Sequence, residues 1–439
     1  MKSVCTRLLR RWWSFAAKRA YGQGRYLECL EYVQKVINVY PNDALALVRA
    51  GSCLDKLDRR GEALPYFEKA LEFSPNYGEA HAFLSLHHRD LGQKQPAFDS
   101  MSRATRMSRA LLRHEFWLEH FGHVCGQAGQ WDQALAAYTK LTELNEKSAN
   151  GWHGVGWAHS NLNHNREAAI ALERAVALRP PSAELKRDLG AVYLGLGKTK
   201  EAMGILRQAA ALQPDDAETH YHLCQAYFDS GELDNALSEI LEALRLDREL
   251  EGSYAWLSAV NWRLGKYEEA AKAIETAIEK EPNNSEYYGQ LATCAQKLEK
   301  LPEAVSAAEK AVTLGPDSAK AFGTLGWILL VQERFDEAIA ALKRSLELDS
   351  IQFESRANLG AAYVEEGKDE EALSAFLKAA EINPKDPNLR FDLGKLYIRL
   401  GRLQDARGEH RALSELRDPL ADELLNLLNS PPPKVPPGL

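Results

Sequence analysis

Two stretches decide the fold: LGAVYLGLGKTKEAMGILRQAAALQP (189–214) and LGAAYVEEGKDEEALSAFLKAAEINP (359–384). Each runs from an apolar segment to a glycine turn (Gly197, Gly367), then through a second apolar segment to a closing proline (Pro214, Pro384). Working outward, the alanine of "EEA", "DEA" or "QDA" contexts recurs at Ala63, Ala97, Ala134, Ala168, Ala202, Ala236, Ala270, Ala304, Ala338, Ala372 and Ala406, with Cys29 in phase ahead of them. The steps are 34, 34 and 37, then eight successive 34s. A fixed period of this kind is read before secondary structure, because it overrides any domain count drawn from length. This is a tandem array, not the three or so domains that 439 residues would suggest at roughly 150 residues each.

With that alanine set as position 20 of a 34-residue unit, twelve units start at residues 10, 44, 78, 115, 149, 183, 217, 251, 285, 319, 353 and 387. Apolar or small residues at positions 4, 7, 8 and 11 follow the i, i+3, i+4, i+7 spacing of one helix face. Positions 20, 24 and 27 make a second such stripe. Glycine is frequent at position 15 (Gly24, Gly92, Gly129, Gly197, Gly231, Gly265, Gly367, Gly401) and stops the first helix. Proline at position 32 (Pro41, Pro75, Pro180, Pro214, Pro282, Pro316, Pro384) closes the second. Position 8 is Gly, Ala, Ser or Cys throughout, which permits close approach of neighbouring helices.

These residues resemble the tetratricopeptide repeat family, whose 34-residue helix–turn–helix carries a W-x2-L-G-x2-Y…A-x3-F…A…P pattern. The resemblance covers residues 10 to about 420 and is weakest in units 1, 3 and 4, with three extra residues near 112–114. It implies an all-α, right-handed superhelical solenoid of about twelve hairpins held by contacts between neighbours. The segment ADELLNLLN (421–429) continues the phase into a thirteenth first helix, expected to cap the array. SPPPKVPPGL (430–439) cannot continue a helix and is expected to be extended polyproline or a disordered tail.

Composition limits the function. Apolar residues at 45% and charged residues at 26% describe a core-forming chain and exclude a disordered or polytopic membrane protein. A formal charge of −8 gives nucleic acid no electrostatic footing. Six scattered cysteines without C-x-x-C spacing read as reduced thiols of a cytoplasmic compartment. The first 27 residues differ: seven cations (Lys2, Arg7, Arg10, Arg11, Lys18, Arg19, Arg25), no carboxylate, and Leu8, Leu9, Trp12, Trp13 and Phe15 interleaved. Three readings stay open for residues 1–27. They are the first helix of unit 1 preceded by a basic extension (1–9), a helix lying on an anionic membrane, or an organellar targeting segment. The in-phase Trp13, Ala16, Ala17 and Ala20 favour the first.

Catalytic and cofactor motifs are not legible. GKT (197–199) lacks the upstream glycine of a phosphate loop and falls in a repeat turn. His220 and Cys224 occupy packing slots, so no metal site is read there. No room is left for a separate catalytic domain, and neither enzyme activity nor a cofactor is expected. At 100° per residue, positions 2, 5, 6, 9, 12 and 13 lie opposite the packing stripe. The family resemblance makes this face a concave, partner-binding groove. His120 and His123 lie on it, and with His153 they permit either a metal site or a polar wall. Trp157, Tyr221, His222, Trp256, Trp262 and Trp327 supply large aromatics of the kind that anchor partner side chains. The lysine–asparagine pattern of the family's chaperone-tail clamps is absent, and of an asparagine ladder at position 6 only Asn358 is present. The expected function is an interaction scaffold or assembly factor that binds a peptide or helix of a partner protein. The alternative is a membrane-peripheral assembly protein docked through residues 1–27.

Overall fold

A computed structural model describes the backbone of residues 2–429, with side chains from residue 7. Residues 430–439, expected to be extended polyproline or a disordered tail, lie outside the described residues. Those residues form twenty-five α-helices and one 3-10 helix, with no strand. The helices pair as antiparallel hairpins, with a first helix such as Ala183–Gly195 and a second such as Thr199–Leu212. The fold is all-α and of the tetratricopeptide solenoid type.

The repeat positions explain why. All eleven position-20 alanines and Cys29 are wholly buried, each at 0% exposure, so this slot admits no larger side chain without displacing a neighbouring helix. Each position-8 residue is buried too. A Cβ added to Gly190 would stand 2.5 Å from Leu206, and one added to Gly360 would stand 2.5 Å from Phe376. Both partners are position-24 residues of the same hairpin, so a knob on the second helix fills the absence on the first.

Position 15 adopts a left-handed backbone whether or not it is glycine. Gly197 has φ +69° and Gly367 φ +73°, while Asp58, Asn163, Glu299 and Glu333 hold the same slot at φ 58° to 60°. Position 34 then starts the next hairpin. Asp43, Ser148, Ser182, Asn284, Ser318 and Asp386 each accept a hydrogen bond from a backbone N–H in the first turn of the helix that follows.

Packing divides the chain into two compact units, Met1–Ser230 and Gly231–Leu439, where the period alone reads as a single array. The first unit holds six hairpins and the helix Ala217–Ser230. Its opening helix runs Lys2–Gly22, so residues 2–9 continue the first helix of the first hairpin. Ala17 and Ala20 of that helix are buried against Cys29 and Val33, with Trp13 alongside. The three extra residues fall at the 3-10 turn Arg109–Arg113, pinned by the buried Leu111. The second unit holds the helix Leu233–Leu246, five hairpins, and a final helix Leu420–Asn429 packed on the last hairpin.

Candidate functional site

A concave pocket of about 760 Å³ opens in the first unit. Its wall comes almost wholly from the first helices of successive hairpins: Glu115–Gln127, Ala149–Asn161 and Ala183–Gly195, with Arg89 and Glu218 at its two ends. The lining residues Phe116, Glu119, His123, Asn150, His153, Trp157, Ser160, Glu184, Arg187, Asp188 and Ala191 all occupy positions 2, 5, 6, 9 or 12 of their units. The face opposite the packing stripe is therefore the face that lines the hollow.

Of the sequence-selected residues, His120, His123, His153 and Trp157 come together here. Trp157 is half-buried. Its ring meets Trp131 edge-on with centroids 4.8 Å apart, and the His123 ring lies 6.2 Å away. A side chain on Gly126 would strike the Trp157 ring at 2.3 Å, so that glycine lets the indole lie flat across the neighbouring helix. Trp157 is thus a rigid aromatic floor of the pocket.

His120 departs from the expectation that it faces a ligand: at 3% exposure it lies beneath the wall. Ser85 donates its hydroxyl to the Ala97 carbonyl at 2.6 Å, so the Nε2–H of His120 must donate to Ser85 Oγ, 2.9 Å away. Nδ1 is then the acceptor and faces the Arg89 guanidinium at 3.4 Å. Burial, with Arg89 and His123 adding to it, lowers the His120 pKa to about 3. Burial and Arg89 also lower that of His123. Both imidazoles are neutral at physiological pH.

A charged network lies beside Trp157, on its own helix and the first helices that follow. His153 Nε2 lies 2.7 Å from Asp188 Oδ2, and Arg187 reaches Asp188 at 2.9 Å and Glu218 at 3.1 Å. Burial pushes the Asp188 carboxyl upward, but the His153 hydrogen bond and Arg187 outweigh it and leave the pKa below its usual value. Among the described residues no group of three or more His, Cys, Asp or Glu is arranged to hold a metal ion. His120 points to Ser85, His153 to Asp188, and His123 lies beside Trp157.

The remaining aromatics are placed elsewhere. Tyr221 and His222 contact one another at 5.3 Å on the helix Ala217–Ser230 and are not among the residues lining the pocket. Burial lowers the His222 pKa. Trp256, Trp262 and Trp327 belong to the second unit, each half-buried. Trp262 meets Tyr267 at 6.3 Å, and Trp327 packs against the cluster around Ala304 and Ile328. Sequence reasoning missed Arg89, Phe116, Asn150 and Arg179 as pocket residues, although all but Arg179 sit at groove positions.

Residues 35–256, half of the chain, match the family described as "Cilia and flagella-associated protein 70 C-terminal domain", a tetratricopeptide-repeat model. The chain belongs to that repeat family. Tetratricopeptide repeat models also match residues 260–319, 319–352 and 360–401. Among solved structures, a chain of the APC/C hetero-tetramer Cut9–Hcn1 is similar over 96% of both chains, with 12% identity and a TM-score of 0.54, which shows a shared fold. Yeast Tom70 is similar over 97% of this chain and 100% of its own, with 14% identity and a TM-score of 0.43. No curated protein matches.

Proposed function

We propose that this tetratricopeptide-repeat protein is a non-enzymatic interaction scaffold or assembly factor that takes an extended or helical segment of a partner protein into the pocket of its first unit. The observation that carries the reading is Trp157: a large indole held by Trp131 and laid over Gly126, exposed on one side to a hollow of about 760 Å³. Rigid aromatics in concave pockets are the residues on which interface energy concentrates. The charges beside it are already paired with one another, so they would orient a partner more than they would hold it. The buried thiols Cys29, Cys53, Cys125, Cys224 and Cys294 suit a reducing, cytoplasmic setting.

The test is affinity capture with quantitative mass spectrometry, comparing wild type with Trp157→Ala and with Phe116→Ser, after circular dichroism has established equal helicity. Partners depleted at least tenfold by Trp157→Ala support the pocket as the binding surface. Equal recovery from both variants would falsify it.

A further inference from the structure

The pocket leaves the opening helix Lys2–Gly22 unexplained. One face of it is docked, with Ala17 and Ala20 buried and Trp13 packed beside them. Its exposed side carries Leu8 (59% exposed), Trp12 (56%) and Phe15 (66%), with the Trp12 ring edge-on to Tyr32 of the next helix at 5.6 Å. These are i, i+4 and i+7, so they form one row about 10 Å long at 1.5 Å per residue. Arg19 continues the row, Arg11 and Arg7 are exposed along one flank of it, and Leu9 is 45% exposed on the other. Arg10 is the exception among the cations: it turns back to Asp43 at 2.6 Å. No carboxylate occurs before Glu28.

We propose that this face is a docking surface for an anionic lipid bilayer, on which the helix lies flat with Leu8, Trp12 and Phe15 at the level of the acyl boundary. Three observations select that occupant. First, large apolar and cationic side chains share the exposed side of one helix with no carboxylate among them, a single-signed charge complementary to anionic headgroups. Arginine stems can lie along apolar surface while their heads meet phosphate. Second, a second copy of the same face would oppose cation to cation with no carboxylate to relieve it. Third, the row is the convex ridge of a single helix and offers a peptide no groove. The contact would be peripheral, since no described helix is long and apolar enough to cross a membrane.

The experiment is flotation of the full-length protein with phosphatidylcholine vesicles, with and without about a third phosphatidylserine. The variants are Arg7→Gln/Arg11→Gln/Arg19→Gln and Trp12→Ser/Phe15→Ser. The arginines and Phe15 are exposed, and Trp12→Ser gives up one edge-on contact with Tyr32, so both variants should stay folded with at most a small fall in melting temperature. Wild type should float only with anionic vesicles, and less so as salt rises. Each cation removed should weaken partitioning about fivefold, hence roughly a hundredfold for the triple variant. The aromatic double variant should weaken it at least tenfold at constant charge. Wild type that stays unbound to anionic vesicles overturns the proposal. So does flotation unaffected by Trp12→Ser/Phe15→Ser, which would mean charge adsorption alone. A dimer that Phe15→Ser dissolves would assign the face to self-association and also overturn it.

Discussion

The contact between Gly190 and Leu206 permits a sharp test of how the hairpins are closed. A methyl group on Gly190 would lie 2.5 Å from Leu206 Cγ and 2.6 Å from Cδ2, about 1 Å inside the ordinary separation of nonbonded carbons. Leu206 is wholly buried and has nowhere to retreat. Gly190→Ala must therefore spread the helices Ala183–Gly195 and Thr199–Leu212 or force Leu206 from its rotamer, at a cost of about 1–3 kcal/mol. Helix propensity returns about 1 kcal/mol for the same change, so the net loss is about 0–2 kcal/mol. Leu206→Ala alone should cost about 2–5 kcal/mol. In the Leu206→Ala background the obstruction is gone, and Gly190→Ala should stabilise by about 1 kcal/mol through propensity and partial filling of the cavity. Its effect thus changes sign between the two backgrounds. Urea unfolding gives the global change, and hydrogen exchange of residues 183–212 gives the local one, which matters because repeat arrays do not always unfold in two states. If Gly190→Ala costs the same in both backgrounds, the glycine is not there for close approach and the account of position 8 fails.

Three further outcomes follow from other positions. At position 15 a left-handed backbone is imposed on a carboxylate residue, so Glu333→Gly should stabilise by about 0.5–1 kcal/mol in thermal unfolding, whereas Gly197→Ala, with open space around its Cβ, should cost about 1 kcal/mol from backbone strain alone. His120 is neutral in the fold with a pKa near 3, below the roughly 6.5 of an unfolded histidine; its contribution is intact above about pH 6.5 and lost as pH falls from there toward 3. Between pH 6.5 and 5 that is about 2 kcal/mol from this residue, so acid unfolding should be shallower in His120→Gln, and the His120 ring resonances should not titrate above pH 4. Asp386 accepts from the Leu389 N–H at 2.8 Å at the start of Pro387–Arg399, and Asp386→Ala should lower stability by about 1 kcal/mol and speed exchange in that first turn.

Most of the fold was legible because it rests on sterics that repeat. The alanine slot and the small residue at position 8 answer close packing within one hairpin, the glycine turn answers a left-handed backbone, and such local demands leave a period in the chain. The lining of the pocket was legible as a set of positions for the same reason. What one residue does within that set was not. His120 and His123 share a helix face, yet one is locked under Arg89 and Ser85 while the other borders the hollow, because side chains of the preceding hairpin decide which is covered. Likewise Trp157 is held as the floor of the pocket only through Trp131 and Gly126, residues of the preceding unit whose part depends on rotamers. Tyr221, equally aromatic and in phase, lies outside the lining.

At the far end of the array one substitution of parts has a consequence of its own. In the hairpins of Gly190 and Gly360 the gap opposite the glycine is filled by the hairpin's second helix. In the last hairpin the corresponding residue is His410, and Leu424 of the final helix Leu420–Asn429 enters instead, 2.5 Å from where a Cβ on Gly394 would be. Leu424 is wholly buried, so the final helix is an organ donor to the hairpin it covers. Cutting the chain before Leu420 would remove a core residue rather than uncover a finished surface, and the last hairpin and the final helix should melt as a single cooperative element.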